Sequence, residues 1–299
     1  MSVAARPGGG DPVATVVIPA HDEEAVIGRL LDSLADGLDG ERLDVIVACN
    51  GCTDRTEDVA RERGARVVTT PEASKIAALN AGDAAAAPGV PRVFVDADVI
   101  ITGRAVADVA RALGTPGVLC AAPPLVTATA GRPWAVRAWY DVWNALPWFA
   151  DAPVGSGVYA FSAEGRARFD AFPPIIADDL FARNLFLRTE RRVVATDPFV
   201  VQAPYDLRSL VVRRTRIYAG NMEVAADPTL GALPGGRERT APWWRALVEH
   251  PRLLPKAVPY LAVNAVAKLR ARRLVRGARP VAWGRDDTTR TTSPAGSPS

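Results

Sequence analysis

Arg92-Val93-Phe94-Val95-Asp96-Ala97-Asp98-Val99-Ile100 is the stretch on which the reading of this chain turns. Three apolar β-formers run straight into two aspartates one residue apart, as in a short buried strand that delivers acids to its carboxyl edge. Two carboxylates this close repel unless a cation or a proton sits between them, and their oxygens suit Mg²⁺ or Mn²⁺ bridging phosphates. Taken alone, an Asp-x-Asp is more simply read as a helix cap with a second Asp facing water. The surrounding chain decides between the two.

Outward from this strand one unit recurs. Thr15-Val16-Val17-Ile18-Pro19 is a continuous apolar run stopped by proline. Val26, Ile27, Leu30, Leu31 and Leu34 then follow the 3.6-residue period of an amphipathic helix over 23–38, with Asp22 or Glu23 at its positive end. Strands are expected over 43–48, 65–69 and 93–95, and helices over 53–63 and 74–87. This alternation implies parallel pairing through right-handed crossovers, and unbroken apolar strands imply burial on both faces. The expected fold is a doubly wound, Rossmann-like α/β sheet, mostly parallel and flanked by helices. Ligands in such folds gather beyond the carboxyl ends of the strands. That is where the polar clusters fall: Ala20-His21-Asp22-Glu23-Glu24, Cys49-Asn50-Gly51-Cys52-Thr53-Asp54-Arg55-Thr56, Ser74-Lys75 and Asp96-Ala97-Asp98. One such loop reflects only turn chemistry. Four on one edge, with a lysine and the acid pair among them, favour a binding site.

Composition sets the outer bounds. A chain of 299 residues can bury a substantial core. The formal net charge of +3 is unevenly spread, because residues 252–279 hold eight Arg or Lys and no acid. A basic segment on an otherwise acidic body suggests an anionic surface as partner, and no nucleic acid is expected. Cys49, Cys52 and Cys120 are too few and too poorly spaced for a disulfide framework or a four-ligand zinc site, so a reducing compartment, the cytosol, is expected. No stretch reaches the ~20 consecutive apolar residues of a spanning helix. The Gly/Pro-rich start lacks the apolar centre of a secretory signal.

At the level of motifs, PAHDEE, NGCTDRT, SKIAALNAG and VDADV stand in order, each in its strand context. Over roughly residues 13–222 the chain thereby resembles glycosyltransferase family 2, the inverting nucleotide-sugar transferases of the GT-A fold. The resemblance implies a nucleotide-diphosphate sugar as donor, a hydroxyl acceptor, and Mg²⁺ or Mn²⁺ as cofactor. It implies that Asp98 ligates the metal directly, while Asp96 meets the nucleotide ribose or a metal-bound water. Pro19, His21, Glu23, Asn50 and Asp54 fall at nucleotide-site positions, and Lys75 is a point charge suited to the diphosphate. Each has a plainer reading too: Asp54 as a helix cap with Thr53, His21 as a loop residue, Lys75 as a solvated helix lysine. Many relatives carry Asp where this chain has Cys49, so the base contact made there is lost or replaced and the nucleotide is left open.

The second half is read for the sugar and the acceptor. Gly155, Ser156 and Gly157 precede an expected strand; there glycines let backbone approach the sugar closely, or simply make a tight turn. Asp178-Asp179 opens an expected helix, where acids favourably meet the helix N-terminus for about 0.3–1 kcal/mol. By resemblance the second of them, Asp179, is the general base, with Asp178 in reserve. Trp134, Trp139, Tyr140, Trp143, Trp148 and Phe149 at near-helical spacing read as core or interface before acceptor groove. Arg213 and Arg216 lie in RRTRI, where polymerising relatives have QxxRW; they suit phosphate or a solvated surface.

Leu253, Leu254, Val258, Leu261, Ala262, Ala265, Val266 and Leu269 recur at helical spacing, flanked by Lys268, Arg270, Arg272, Arg273 and Arg276. This 251–276 segment suits an anionic membrane surface, and a lipid-linked acceptor there, as well as it suits a helix packed on the catalytic domain. The expected organisation is a flexible start at 1–12 and a glycosyltransferase domain at 13–225. That domain divides into a nucleotide-binding half at 13–101 and an acceptor half at 102–225. A basic helical extension follows at 226–284, and a disordered tail at 285–299. The expected activity is sugar transfer in cell-envelope polysaccharide, glycolipid or natural-product biosynthesis, in the cytoplasm or at the inner face of the plasma membrane. The alternatives are a catalytically silent sugar-nucleotide binding module and, less well matched because AHDEE replaces a Gly-rich loop, a sugar nucleotidyltransferase.

Overall fold

The computed structural model describes residues 11–146, 157–237 and 242–277. The expected tail at 285–299, together with Trp148, Phe149, Gly155 and Ser156, lies outside the described residues. The apolar runs become strands β1 (Ala14–Ala20), β2 (Leu43–Asn50), β3 (Arg66–Thr70) and β4 (Arg92–Val95). Three further strands, β5 (Cys120–Ala122), β7 (Val158–Phe161) and β8 (Arg191–Val193), complete a sheet of order β3-β2-β1-β4-β7-β5-β8. β1, β2, β3 and β4 pair in parallel, so their carboxyl ends share one edge. β7 runs antiparallel between β4 and β5, which makes the sheet mixed in its second half. A separate parallel pair, β6 (Leu125–Ala128) and β9 (Phe199–Gln202), is tied to the residues after β4 through an Ile100–Val200 bridge.

Alternation along the strands feeds two cores. Val16, Ile18, Val93 and Val95 face one side, against α1 (Glu24–Leu34) and α4 (Gly103–Leu113). Val17 and Phe94 face the other, where Leu79 of α3 (Lys75–Ala84) joins Phe161, Phe172 and Phe186. α1 stops at Leu34, short of the periodicity, and Gly37 turns at φ +71°. The helix expected over 53–63 forms as α2 (Thr56–Glu62).

The aromatic segment forms α5 (Trp134–Asn144). Trp139, Tyr140 and Trp143 are buried in a third cluster with Leu210, Ala246 and Val263. They hold together three C-terminal helices, α8 (Leu207–Ala226), α9 (Trp244–Glu249) and α10 (Ala257–Arg276). Two short helices precede these: α6 (Ala163–Arg166) and α7 (Asp178–Asn184).

The seam between α1 and α4 is narrow enough to demand glycine. A Cβ on Gly103 would stand 2.3 Å from the Leu34 carbonyl oxygen and 2.8 Å from Leu38. Gly103→Ala should therefore cost about 1–3 kcal/mol through overpacking, read as a lowered Tm in thermal denaturation. An unchanged Tm would show that α4 can shift without loss.

Candidate active site

Three polar networks meet along the shared carboxyl edge. The innermost is built on Lys75, the first residue of α3, whose start is fixed by the Ser74 hydroxyl accepting from the Ala77 amide at 3.3 Å. The Lys75 ammonium lies 2.8 Å from Asp96 Oδ1 after β4 and 3.0 Å from Asp178 Oδ1 at the start of α7. Tyr159 of β7 donates its hydroxyl to Asp178 Oδ2 at 3.1 Å, so both oxygens of Asp178 are engaged. Burial works against charge on Lys75, yet Asp178 and Asp96 outweigh it and hold the ammonium protonated. Burial pushes the Asp178 carboxyl up, with Lys75 pulling the other way and Asp179 and Asp96 adding to the rise. Burial also raises the Tyr159 hydroxyl well above its usual value, followed by the effect of Asp178, so Tyr159 remains a donor.

Asp96, on the outer side of this cluster, and Asp98, two residues on, are both half-buried. The Asp96 amide donates to the Gly157 carbonyl at 2.8 Å. Gly157 turns at φ +111°, and a Cβ there would stand 2.9 Å from Val99 Cγ2 and 3.4 Å from Asp96 Oδ2. The missing side chain keeps space open beside the acid. Among the described residues Asp98 makes no ion pair or side-chain hydrogen bond, which leaves a hard oxygen donor available. This donor set and the open cradle fit a divalent cation such as Mg²⁺ or Mn²⁺. Asp179 is half-buried beside Asp178, and its Oδ1 accepts from the Leu180 amide at 2.8 Å.

The second network joins β1 to β2. His21 Nδ1 lies 2.6 Å from the Asn50 carbonyl, and the fully buried Asn50 amide donates to the Ser74 carbonyl at 3.0 Å. Asn50 thus connects the first two loops to the residue that caps Lys75's helix. The third network staples residues 22–24 to 53–56. Asp22 Oδ1 accepts from the Thr53 amide at 2.6 Å and the Asp54 amide at 3.3 Å. Asp54 accepts from the Glu24 amide at 3.1 Å and the Thr56 amide at 2.9 Å. Although burial favours the neutral acid, these bonds hold Asp22 below the usual carboxylate range. Glu23 is 3% exposed, and its amide donates to Thr56 Oγ1 at 2.7 Å. Pro19 is a buried residue of β1 opposite Ala48.

The structure therefore brings Lys75, Asp96, Gly157 and Asp178 together, with His21, Glu23, Asn50 and Asp54 on the adjoining loops. Arg213 and Arg216 are half-buried on α8, the helix whose Gly220 packs against Ala177 beside Asp178. Arg213 donates to the Gln202 carbonyl at 3.3 Å and lines a cavity of about 30 Å³ with Trp139 and Trp143. Gly155 and Ser156 fall outside the described residues. Sequence reasoning missed Tyr159, which reads as an ordinary strand aromatic. It also took Asp22 only for a helix-pole charge; the residue stands at φ +51°, uncommon for a non-glycine, where its carboxylate can reach the next loop.

A mixed sheet with acids, a lysine and a glycine approach on its carboxyl edge is the arrangement of a GT-A nucleotide-sugar fold. The mannosyltransferase of Pyrobaculum calidifontis, solved with GDP-Man and Mn²⁺, matches with a TM-score of 0.56 at 23% identity over 93% of this chain and 81% of that one. The chain belongs to glycosyl transferase family 2, whose model matches residues 15–167. It is 40% identical over 93 residues to glucosyl-3-phosphoglycerate synthase of Mycolicibacterium paratuberculosis, covering 29% of this chain and 28% of that protein. Against the 4,4'-diaponeurosporenoate glycosyltransferase of Staphylococcus aureus it is 29% identical over 215 residues, 66% of this chain and 52% of that protein. The chain thus spans from under a third to about half the length of these curated relatives.

Lys75 carries the electrostatic balance of the cluster. Lys75→Met should leave two unneutralised acids, one of them with a side chain only 5% exposed, and cost roughly 3–5 kcal/mol in denaturant unfolding. Lys75→Met combined with Asp178→Asn should recover part of that loss; no recovery would mean that the ion pair is not its source.

Proposed function

We propose that this chain is a metal-dependent inverting glycosyltransferase that moves a sugar from a nucleotide-diphosphate sugar to an acceptor hydroxyl. The observation that carries the reading is the Lys75 bridge, because it joins the acid of the donor loop, Asp96, to the acid pair of the acceptor half. The donor's nucleotide lies over His21, Glu23, Asn50 and Asp54, against the end of β1 at Pro19. Asp98 would hold Mg²⁺ or Mn²⁺, with Asp96 toward the ribose or the ion's water, and such an ion would supply positive charge against the departing diphosphate. Lys75 adds a second positive charge from below. Gly157 lets backbone approach the sugar. Asp179 accepts the acceptor hydroxyl's proton as that oxygen attacks the anomeric carbon opposite the diphosphate. Asp178, with both oxygens occupied, positions Lys75 and is displaced from the base role. Arg213 and Arg216 on α8 supply guanidinium charge for phosphate. Relatives solved with GDP-Man or UDP and Mn²⁺ support the class of donor and metal.

The acceptor half carries a further clue. α10 packs on the body through Ala257, Val263, Ala267 and Ala271, while Val258, Leu261, Ala262, Ala265, Val266 and Leu269 are exposed at i, i+3, i+4, i+7, i+8 and i+11. The amphipathic stripe of the sequence is therefore the outward face, continued by exposed Trp243, Trp244 and Val248 and flanked by Lys268, Arg270, Arg272, Arg273 and Arg276. No helix among the described residues is long and apolar enough to cross a membrane. An apolar stripe with a basic end suits the headgroup region of an anionic leaflet, where a lipid-linked acceptor of cell-envelope or natural-product biosynthesis is found.

Asp179→Asn should lower transfer by roughly 10²–10⁴-fold while sparing nucleotide affinity, and Asp98→Ala should weaken Mn²⁺-linked nucleotide binding in calorimetry. Undiminished transfer by Asp179→Asn would remove it as the base. Sedimentation with vesicles containing anionic phospholipid should pellet the protein at low salt, and Val258→Glu with Leu261→Glu should release it. Absence of pelleting at low salt would end the membrane proposal.

A further inference from the structure

Beside the nucleotide loops stands chemistry that sugar transfer does not use. Cys49, the next-to-last residue of β2, stands directly opposite Ala20, the last residue of β1, and Cys52 follows after the Asn50-Gly51 turn. Gly51 adopts φ +55° there, turning the chain so that Cys49 and Cys52 pack against one apolar cluster. Cys52 also donates to the Ala20 carbonyl at 3.4 Å. Its sulfur lies within 4.8 Å of carboxylate oxygens of both Asp22 and Asp54. Cys49 is buried and Cys52 half-buried, so the pair is ordered as an accessible sulfur backed by an inaccessible one. Cys120, by contrast, is buried in β5.

We propose that Cys49 and Cys52 form a site of reversible covalent modification, closing to a disulfide on exposure to a hydroperoxide and thereby weakening nucleotide binding. The second half rests on the donor-site reading above; the first does not. Interaction with Cys49 draws the Cys52 thiol down to about 7, with help from the Asp22 amide and against burial and the Asp54 and Asp22 charges, while the same interaction and burial push Cys49 up. Cys52 thiolate attacks the peroxide O–O bond, taking one oxygen as a sulfenic acid and releasing the other as hydroxide or alkoxide. The Cys49 sulfur then attacks the sulfenic sulfur, and the hydroxyl leaves with the Cys49 proton as water. The peroxide gains the two electrons that the dithiol loses.

A disulfide draws its sulfurs to about 2.05 Å, closer than any hydrogen-bonded pair, so the 49–52 turn must tighten. Cys52 then loses its hydrogen bond to Ala20, and Asn50, which holds His21 and Ser74, lies inside the tightened turn. Glutathione-type thiols, or any dithiol reductant, reverse the bond by exchange.

The test uses the full chain, reduced and then treated with stoichiometric hydrogen peroxide. Free thiols titrated in denaturant should fall from three to one, with peptide mapping linking Cys49 to Cys52, and dithiothreitol should restore three. UDP or GDP affinity in Mn²⁺ should fall roughly tenfold on oxidation and return on reduction, the scale of one lost well-placed hydrogen bond. Cys52→Ser should bind nucleotide equally before and after peroxide. Three surviving thiols, or Cys52 sulfinic acid without linkage, would overturn the site. A disulfide that leaves affinity unchanged would overturn the coupling. If neither form binds any nucleotide, the donor reading fails, while the thiol count still decides the disulfide.

Discussion

A single ammonium, that of Lys75, is the constraint on which the site depends. It draws together segments from three separate parts of the chain, at positions 75, 96 and 178, and without it their acids would repel. The two pairings are unequal. Asp178 is nearly sealed from water and is held again by Tyr159, whereas the Asp96 side chain is 37% exposed. Water screens the outer contact and leaves the inner one strong. In the proposed reaction this asymmetry lets Lys75 keep its anchor on Asp178 while its outer face exchanges Asp96 for the charge of a diphosphate. The barrier to such exchange is low because the ammonium is never without a carboxylate.

The strands and their parallel order are legible because burial on both faces writes unbroken apolar runs, as at Val16, Val17 and Ile18, and because the acids follow those runs without a gap. The edge itself was therefore readable, and so were Lys75 and Asp96 as members of it, whereas Asp178 reads only as the acid beside Asp179 at the start of a later helix. What the residues do to one another was not. Nothing in the spacing of Lys75 and Asp178 says that they touch across 103 positions, and nothing marks Tyr159 as different from Phe161 two residues on. The antiparallel insertion of β7 beside β4 was equally hidden, since a four-residue strand carries no sign of its partner's direction.

The C-terminal helix shows the limit of periodicity in a different way. Hydrophobic spacing identifies a stripe but not which way it faces. In α10 the body takes the small residues, Ala257, Ala267 and Ala271, because close approach to α8 leaves room for little else. The larger Val258, Leu261 and Leu269 are left in solvent at 70%, 45% and 54% exposure. An outward apolar stripe of this length beside a run of arginines is costly in water, and a surface that covers it removes that cost.

Cys49 illustrates how a local departure can matter beyond its own contact. A neutral thiol near the end of β2 is more easily buried against Ala20 and Val47 than an acid would be. The loop then depends on hydrogen bonds rather than charge for its shape: Asn50 to Ser74, His21 to Asn50, Asp22 to Thr53. Ser74 in turn caps the helix whose first residue is Lys75. The loop after β2 and the helix that begins at Lys75 are thus joined through one buried amide, Asn50. A shift of the 49–52 turn therefore acts on His21 and Ser74 together, because the Asn50 carbonyl and side chain each hold one of them.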